Sequence, residues 1–241
     1  MKHYGLVGYP LGHSLSAKYF NDKFARESIA ADYTLAEIVS VKDLPMATAH
    51  MSGFNVTIPY KKAVVPFLTR ISAEATAVGA VNCVRREQDG SLSGFNTDIE
   101  GIRATFASFG DLRGIKALVL GSGGAAAAVQ YVLREQGIAF IRISRSREMG
   151  DATYADLTSE TVAEHRLIIN ATPVGMYPAT DETPALPYCA ITARHILFDL
   201  IYNPAQTKFL ALGAAQGARI FNGHEMFVRQ AEASWRIWNG R

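Results

Sequence analysis

The stretch KALVLGSGGAAAAVQYVLREQ, residues 116–136, decides the fold. Lys116-Ala-Leu-Val-Leu120 is a short apolar run that reads as a buried strand, and it leads directly into Gly121-Ser-Gly-Gly-Ala125 and an alanine-rich helix. Gly121, Gly123 and Ala126 occupy the places of a G-x-G-x-x-(G/A) fingerprint, and the strand-turn-helix context gives that pattern its meaning. A glycine at 121 permits the tight turn, and one at 123 removes a Cβ so that backbone can approach a pyrophosphate. Alanine at 126 allows close packing of helix on sheet, with the helix amides facing the anion. Gly121, Ser122, Gly123, Gly124 and Ala125 are therefore candidate dinucleotide ligands.

Outward along the chain, a second strand is expected at Ala139 to Ile143. About 20 residues past such a turn, an enzyme that uses NAD normally presents Asp or Glu to the ribose 2′-hydroxyl. Here the chain reads Ser144-Arg145-Ser146-Arg147. A carboxylate would repel a 2′-phosphate, whereas arginine forms a charge-assisted pair with it and serines donate hydrogen bonds, which points to NADP. The alternative is that both arginines are solvated loop charges. Further strands are expected at Leu167 to Asn170, Ile196 to Leu200 and Ala218 to Phe221, with helices between, and a final helix from His224 to Trp238.

Towards the N-terminus the same rhythm appears. Tyr4 to Gly8 reads as a strand, Ala17 to Ser28 as a helix, Tyr33 to Val39 as a strand, Asp43 to Met51 as a helix and Phe54 to Ile58 as a strand. Lys61 to Arg70 is expected as a helix begun after Pro59. Between Val81 and Phe95, two strand-like runs flank Gln88-Asp89-Gly90, a hairpin signal. A helix follows from Asp98 to Phe109. The fold class is α/β: a first α/β domain over 1–98, and a doubly wound Rossmann-type dinucleotide-binding domain over 99–221. The C-terminal helix, 222–241, is expected to return to the first domain.

The 241 residues suffice for two modest cores without staples. Cys83 and Cys189 stand far apart and in no metal-ligand spacing, so neither a disulfide nor a metal is expected. The net charge of +2, with acids and bases interleaved, gives no footprint for nucleic acid. No apolar leader or membrane-spanning stretch appears, which implies a cytoplasmic protein. A monomer or homodimer is expected.

The first domain concentrates small polar residues at its strand ends: Ser14, Ser16, Asn55, Thr57, Asn82, Asn96, Thr97 and Asp98. Ser14 and Ser16 precede a helix, where two hydroxyls and the positive helix end suit a carboxylate; one serine serves equally well as an N-cap. Gly12-His-Ser-Leu-Ser16 lacks the last glycine of a nucleophile elbow, which argues against serine hydrolysis. If Lys61 sits in a first helical turn, the helix dipole lowers its pKa, a useful direction for a group that exchanges a proton near neutrality. Lys62 reads as solvated. Asp98 either caps its helix or holds the ammonium of Lys61.

Eight tags, HSLS (13–16), NVTIPYK (55–61), GAVN (79–82), GFNTD (94–98), GSGGA (121–125), NATPVGM (170–176), DLIYNPAQT (199–207) and NGHEMFVRQA (222–231), together resemble the shikimate dehydrogenases over nearly the whole chain. The resemblance implies reversible reduction of 3-dehydroshikimate to shikimate with NADPH, Lys61 and Asp98 forming the catalytic pair. It also implies that Ser14 and Ser16, helped by Tyr202, bind the substrate carboxylate. Thr57, Lys61, Asn82, Asp98 and Gln230 then bind the rest of the substrate. For the cofactor it implies Gly121 to Ala125, Ser144, Arg145, Ser146, Thr172, Val174, Gly175 and Met176, with Gly223 near the nicotinamide.

Tyr202 and Met176 also fit as core residues, and Gln230 fits an outer helix face. Departures from the family's commonest pattern are Ala17, Cys83, Pro173 and Ser144, the last standing where asparagine usually precedes the arginine. Arg147 does not match the family's second basic step. The rivals are a relative that oxidises quinate or an amino analogue with NAD, and a non-catalytic sensor of the same fold.

Overall fold

The computed structural model describes residues 1–12 and 14–240. The chain divides into two compact units: residues 1–97 with 230–241, and residues 98–229. The sequence pattern places the joints at 98/99 and 221/222.

The first unit holds a six-stranded mixed sheet in the order β2-β1-β3-β5-β6-β4. Its strands are β1 (Lys2–Gly8), β2 (Ala31–Glu37), β3 (Gly53–Val56), β4 (Arg70–Ile71), β5 (Cys83–Arg86) and β6 (Leu92–Phe95). β1 lies parallel to β2 and β3, whereas β5 runs antiparallel to β3 and to β6, the turn of the β5–β6 hairpin carried by Gly90 at φ +84°. Helix α1 (Ser16–Arg26) covers one face, with α2 (Leu44–Ala47) and α3 (Ala73–Val78) as short pieces.

The expected helix over 61–70 is not formed. Residues 61–64 run as turns, and only a 3₁₀ turn, Val65–Phe67, follows before β4. The local cause is Val64-Val65-Pro66: two β-branched residues lose rotamer freedom in a helix, and a proline disfavours the α region for the residue before it.

The second unit is a parallel sheet in the order β12-β11-β10-β7-β8-β9. It comprises β7 (Lys116–Leu120), β8 (Ala139–Ser144), β9 (Ala152–Thr153), β10 (Leu167–Asn170), β11 (Ile196–Asp199) and β12 (Arg219–Phe221). Counted from β7, this is the 3-2-1-4-5-6 order of a doubly wound dinucleotide-binding fold, whose switch point lies between β7 and β10. The central strands β10 and β11 are buried throughout, and β7 is buried except at Lys116, as both-face coverage demands. The helices are α4 (Asp98–Ala107), α5 (Gly124–Glu135), α6 (Ser159–Glu164) and α7 (Lys208–Ala215), followed by α8 (His224–Trp238).

The end of α8 packs into the first unit. Trp238 stacks on Tyr4 at 4.8 Å, its indole N–H donates to the Val84 carbonyl at 2.9 Å, and Gly53 leaves it room, because a Cβ there would strike the indole. The C-terminal helix thus returns to the first unit as expected. No described helix is long and apolar enough to cross a membrane, and no described group of His, Cys, Asp or Glu could hold a metal ion.

Candidate active site

In the first unit, the carboxyl ends of β3 and β6 and the amino end of the antiparallel β5 between them gather a buried polar network. Asn82, just before β5, accepts from the Thr97 amide at 2.7 Å and the Thr97 hydroxyl at 3.2 Å. Thr97 also reaches Gln230 Oε1 at 3.5 Å and Ser234 at 3.1 Å. Asn55 donates to Ser234 and to the Asn82 carbonyl and accepts from the Tyr33 hydroxyl at 2.9 Å. Asn82 and Gln230, two predicted substrate ligands far apart in sequence, are therefore joined through one threonine. Gln230 lies half-buried and not on an outer face.

Lys61 is half-buried beside this network, because its carbonyl accepts from the Val81 amide at 2.7 Å; Lys62 is exposed. Lys61 lies in a turn and not in a first helical turn, so the helix dipole expected to act on it is missing. Thr57 ends β3's run and is half-buried, its amide donating to Val7 and its carbonyl accepting from Tyr60.

Ser14 and Ser16 flank Leu15, which holds the N-cap position of α1 and supplies no side-chain cap. Ser14 Oγ accepts from the Ser16 amide at 3.2 Å, while Ser16 is buried in the first turn. The serines are thus close together at an N-terminus that carries no acidic residue.

In the second unit, Asp98 opens α4 and is 4% exposed. Chain continuity places it one residue after Thr97. Tyr202 is half-buried, its ring packed on Phe227 with centroids 4.9 Å apart.

The glycine turn separates two demands. Gly121 has φ +112°, and a Cβ on it would stand 2.9 Å from the Ala171 carbonyl oxygen, so the fold itself requires glycine. Gly123, the N-cap of α5, has φ −77°, and a Cβ there would meet nothing within 4 Å. The protein does not need that glycine, and the space it leaves faces an α5 terminus with no side-chain cap and no acidic residue in its first turn. Four amides and open room make an anion cradle. Ala126 is fully buried against the sheet, as the fingerprint requires.

At the end of β8, Ser144 is buried and its hydroxyl is spent locally, donating to the Ser146 carbonyl and accepting from the Ser146 amide. Arg142 pairs with Asp151 at 2.6 Å and Arg147 with Asp156 at 2.7 Å. Among the described residues Arg145 has no ion-pair partner; it lies exposed near Tyr154, whose phenol it lowers against the larger upward push of burial. Of the three arginines here, only Arg145 is available to an incoming phosphate.

The loop after β10 is held by side chains that the sequence reading did not single out. Asn170 Oδ1 accepts from the Thr172 amide at 3.1 Å and hydroxyl at 2.6 Å, and its Nδ2 donates to the Val174 carbonyl at 3.2 Å and to Asp199 at 3.1 Å. Asp199, fully buried at the end of β11, also accepts from the Ile201 amide at 3.0 Å and the Thr207 hydroxyl at 2.6 Å. Burial without a cation pushes its carboxyl up to about 6. The signal available in sequence was two polar residues, Asn170 and Asp199, each ending an all-apolar strand.

Gly175 is buried at φ +93°, whereas Met176 beside it is 41% exposed and so is not a core residue. Gly223 is demanded by packing, because a Cβ would run into the Leu200 carbonyl. A hollow of about 310 Å³ lined by Arg103, Phe106 and Gly137 lies at the opposite, amino-terminal edge of this sheet, away from all these groups.

The profile of the shikimate dehydrogenase substrate binding domain matches residues 6–84. A protein named shikimate dehydrogenase (NADP(+)) from Carboxydothermus hydrogenoformans is 34% identical over 262 residues, covering 98% of this chain and 91% of that one. Among solved structures, the Thermus thermophilus shikimate 5-dehydrogenase in complex with NADP(H) and shikimate superposes with a TM-score of 0.88 at 30% identity. It covers 100% of this chain and 94% of that one. The Listeria monocytogenes shikimate 5-dehydrogenase in complex with shikimate and NAD gives 0.83 at 28%, covering 100% and 92%. With sequence and fold similarity both running the length of the molecule, the chain belongs to the shikimate dehydrogenase family.

Proposed function

We propose that this chain catalyses the reversible, NADPH-dependent reduction of 3-dehydroshikimate to shikimate. The observation that carries the cofactor half is the pairing of an uncapped α5 terminus, open at Gly123, with an unpaired Arg145 at the end of the neighbouring parallel strand. The pyrophosphate belongs on Gly121 to Ala125 and the 2′-phosphate on Arg145, with the Ser146 amide region beside it. Ser144 shapes the turn and is not a ligand itself. Thr172, Val174, Gly175, Met176 and Gly223 line the nicotinamide end of the site. When bound, NADPH supplies the hydride.

In the substrate half, Ser14, Ser16 and Tyr202 take the carboxylate, and Thr57, Asn82, Asp98 and Gln230 take the ring hydroxyls. Asn82 is already oriented by the Thr97 amide, so its order is set before substrate arrives. Lys61 gives a proton to the developing alkoxide in reduction and takes it back in oxidation. Asp98 orients that lysine's ammonium.

The test is absorbance at the reduced-nicotinamide band with purified protein, shikimate or quinate, and NADP or NAD, in all four pairings. Turnover confined largely to shikimate with NADP supports the reading. A preference for quinate or NAD moves the chain to the relative that uses them, and silence in every pairing with ligand still bound makes it a sensor.

A further inference from the structure

We propose that Asp199 is a positioning residue for the cofactor: buried at the end of β11, it ties the 170–176 loop to the 199–207 segment, so that cofactor affinity depends on its carboxylate while the chemical step does not. The inference rests on the assignment of Thr172 to Met176 to the cofactor. Asp199 touches neither ligand in this scheme and acts through Asn170 and Thr207.

The geometry is a relay of six residues. Thr207 and the Ile201 amide donate to Asp199, Asn170 donates to Asp199 and to the Val174 carbonyl, and Thr172 donates to Asn170 by both its amide and its hydroxyl. Thr172 Oγ1 then accepts from the Val174 amide at 3.2 Å. Two backbone groups of the 172–174 loop thus take their positions from one side chain, Asn170, and a third through the Thr172 hydroxyl that Asn170 holds, while Asn170 itself donates to Asp199. Every group facing the carboxylate is a donor, so only the ionised form satisfies them all.

The donors to the carboxylate come from three segments of this unit. Asn170 comes from β10, Thr207 caps α7, and the Ile201 amide follows β11 itself. From the segment before β11, Tyr188 is the one titratable group that senses Asp199; its phenol is raised to about 12 and is neutral wherever Asp199 titrates. Among the described residues no lysine, arginine or histidine pairs with Asp199.

Protonation reverses the relay. A neutral carboxyl must donate once, the Ile201 and Asn170 groups cannot accept, and Thr207 can accept only by ceasing to donate. Since burial raises Asp199 to about 6, this reversal falls within an accessible pH range. An asparagine at 199 carries the same donor permanently and so imitates the protonated state at every pH.

The experiment measures KM for NADP, KM for shikimate and kcat for the wild-type protein and Asp199→Asn from about pH 8 to about pH 5. At the alkaline end the variant should show KM for NADP raised about three- to tenfold, the factor for one lost net hydrogen bond, with kcat and KM for shikimate within about twofold. The variant-to-wild-type ratio should fall towards 1 as pH drops through about 6. Taking the ratio cancels the 2′-phosphate's own ionisation near pH 6, which both proteins share.

A ratio that stays constant, or both KM values moving together, would overturn the proposal and leave Asp199 merely structural. If Asp199→Asn does not fold, Thr207→Val and Thr207→Ser decide. Valine should raise KM for NADP severalfold and serine should restore it; equal behaviour of the two overturns the proposal. No turnover by the wild-type protein with any substrate would count against the functional reading instead, and equilibrium titration with NADP would then read the same ratio.

Discussion

Each unit of this protein builds a buried polar relay around its central strands, and the two relays differ in one respect. In the first unit, Tyr33, Asn55, Ser234, Thr97, Asn82 and Gln230 are linked by neutral groups. In the second, Asn170, Thr172 and Thr207 surround a carboxylate. A neutral network orients side chains at little desolvation cost and is indifferent to pH, whereas a buried carboxylate fixes its donors more strongly and is sensitive to protonation. The substrate side should therefore keep its geometry across pH, and the cofactor side should not.

The largest effect expected is on the chemical step. Lys61→Ala should lower kcat by about 10²- to 10⁴-fold, the range for a lost general acid, while changing KM for shikimate far less. Steady-state kinetics with saturating NADP reads this directly. Wild-type turnover in the variant would remove Lys61 from the mechanism and leave the neutral relay with no reaction to serve.

Next is stability. Asp199 rises from 3.8 to about 6 on folding, so between those values the native state holds more protons than the unfolded chain and stability falls as pH rises. The full cost, on the order of 3 kcal/mol, is present above about pH 6. Urea unfolding should give a higher midpoint at about pH 5 than at pH 7, and Asp199→Asn should lose this difference. Asp151, Asp156 and Glu135, held below their usual range by arginine or backbone donors, act in the opposite sense, but only at more acid pH. A midpoint that rises steadily from pH 5 to pH 7 would show that the second relay carries no buried charge and would erase the contrast between the units.

A smaller change is expected at the end of β8. Arg145→Ala should raise KM for NADP by about 10- to 30-fold, within the worth of a charge-assisted pair, and leave KM for NAD nearly unchanged. Arg147→Ala should do much less, since Arg147 is already paired with Asp156. Equal losses for both cofactors would refute the phosphate role of Arg145.

Much of this was legible in the sequence where local pattern and tertiary packing agree. β7, β10 and α8 fall where the residues placed them, and the Asp89-Gly90 turn joins the hairpin it predicted. The 61–70 segment is not legible in this way: Pro59 suits a helix start, while Val64, Val65 and Pro66 argue against continuation. With the helix went the reason to expect a dipole acting on Lys61. Asp199 was overlooked for another reason: an aspartate ending a strand looks the same in sequence whether it faces water or three buried donors. The pairing of Arg147 with Asp156, which singles out Arg145, likewise depends on a register between β8 and β9 that no local pattern encodes.

The smallest stability effect should come from the glycine turn, and it separates fold from ligand at two positions two residues apart. Gly121→Ala places a Cβ 2.9 Å from a backbone oxygen at φ +112°, and should cost about 1–3 kcal/mol of stability. Gly123→Ala enters open space at φ −77°. There the gain from a stiffer unfolded chain, about 0.4–1 kcal/mol, is offset by a similar loss from alanine at an N-cap, so unfolding should be nearly unchanged. Cofactor binding should nonetheless weaken, because the methyl group occupies the space left for the pyrophosphate. Denaturation without ligand and NADP titration together read both quantities. If Gly123→Ala binds NADP as the wild type does, the open space at the head of α5 is not the phosphate cradle, and Arg145 alone remains to explain the cofactor.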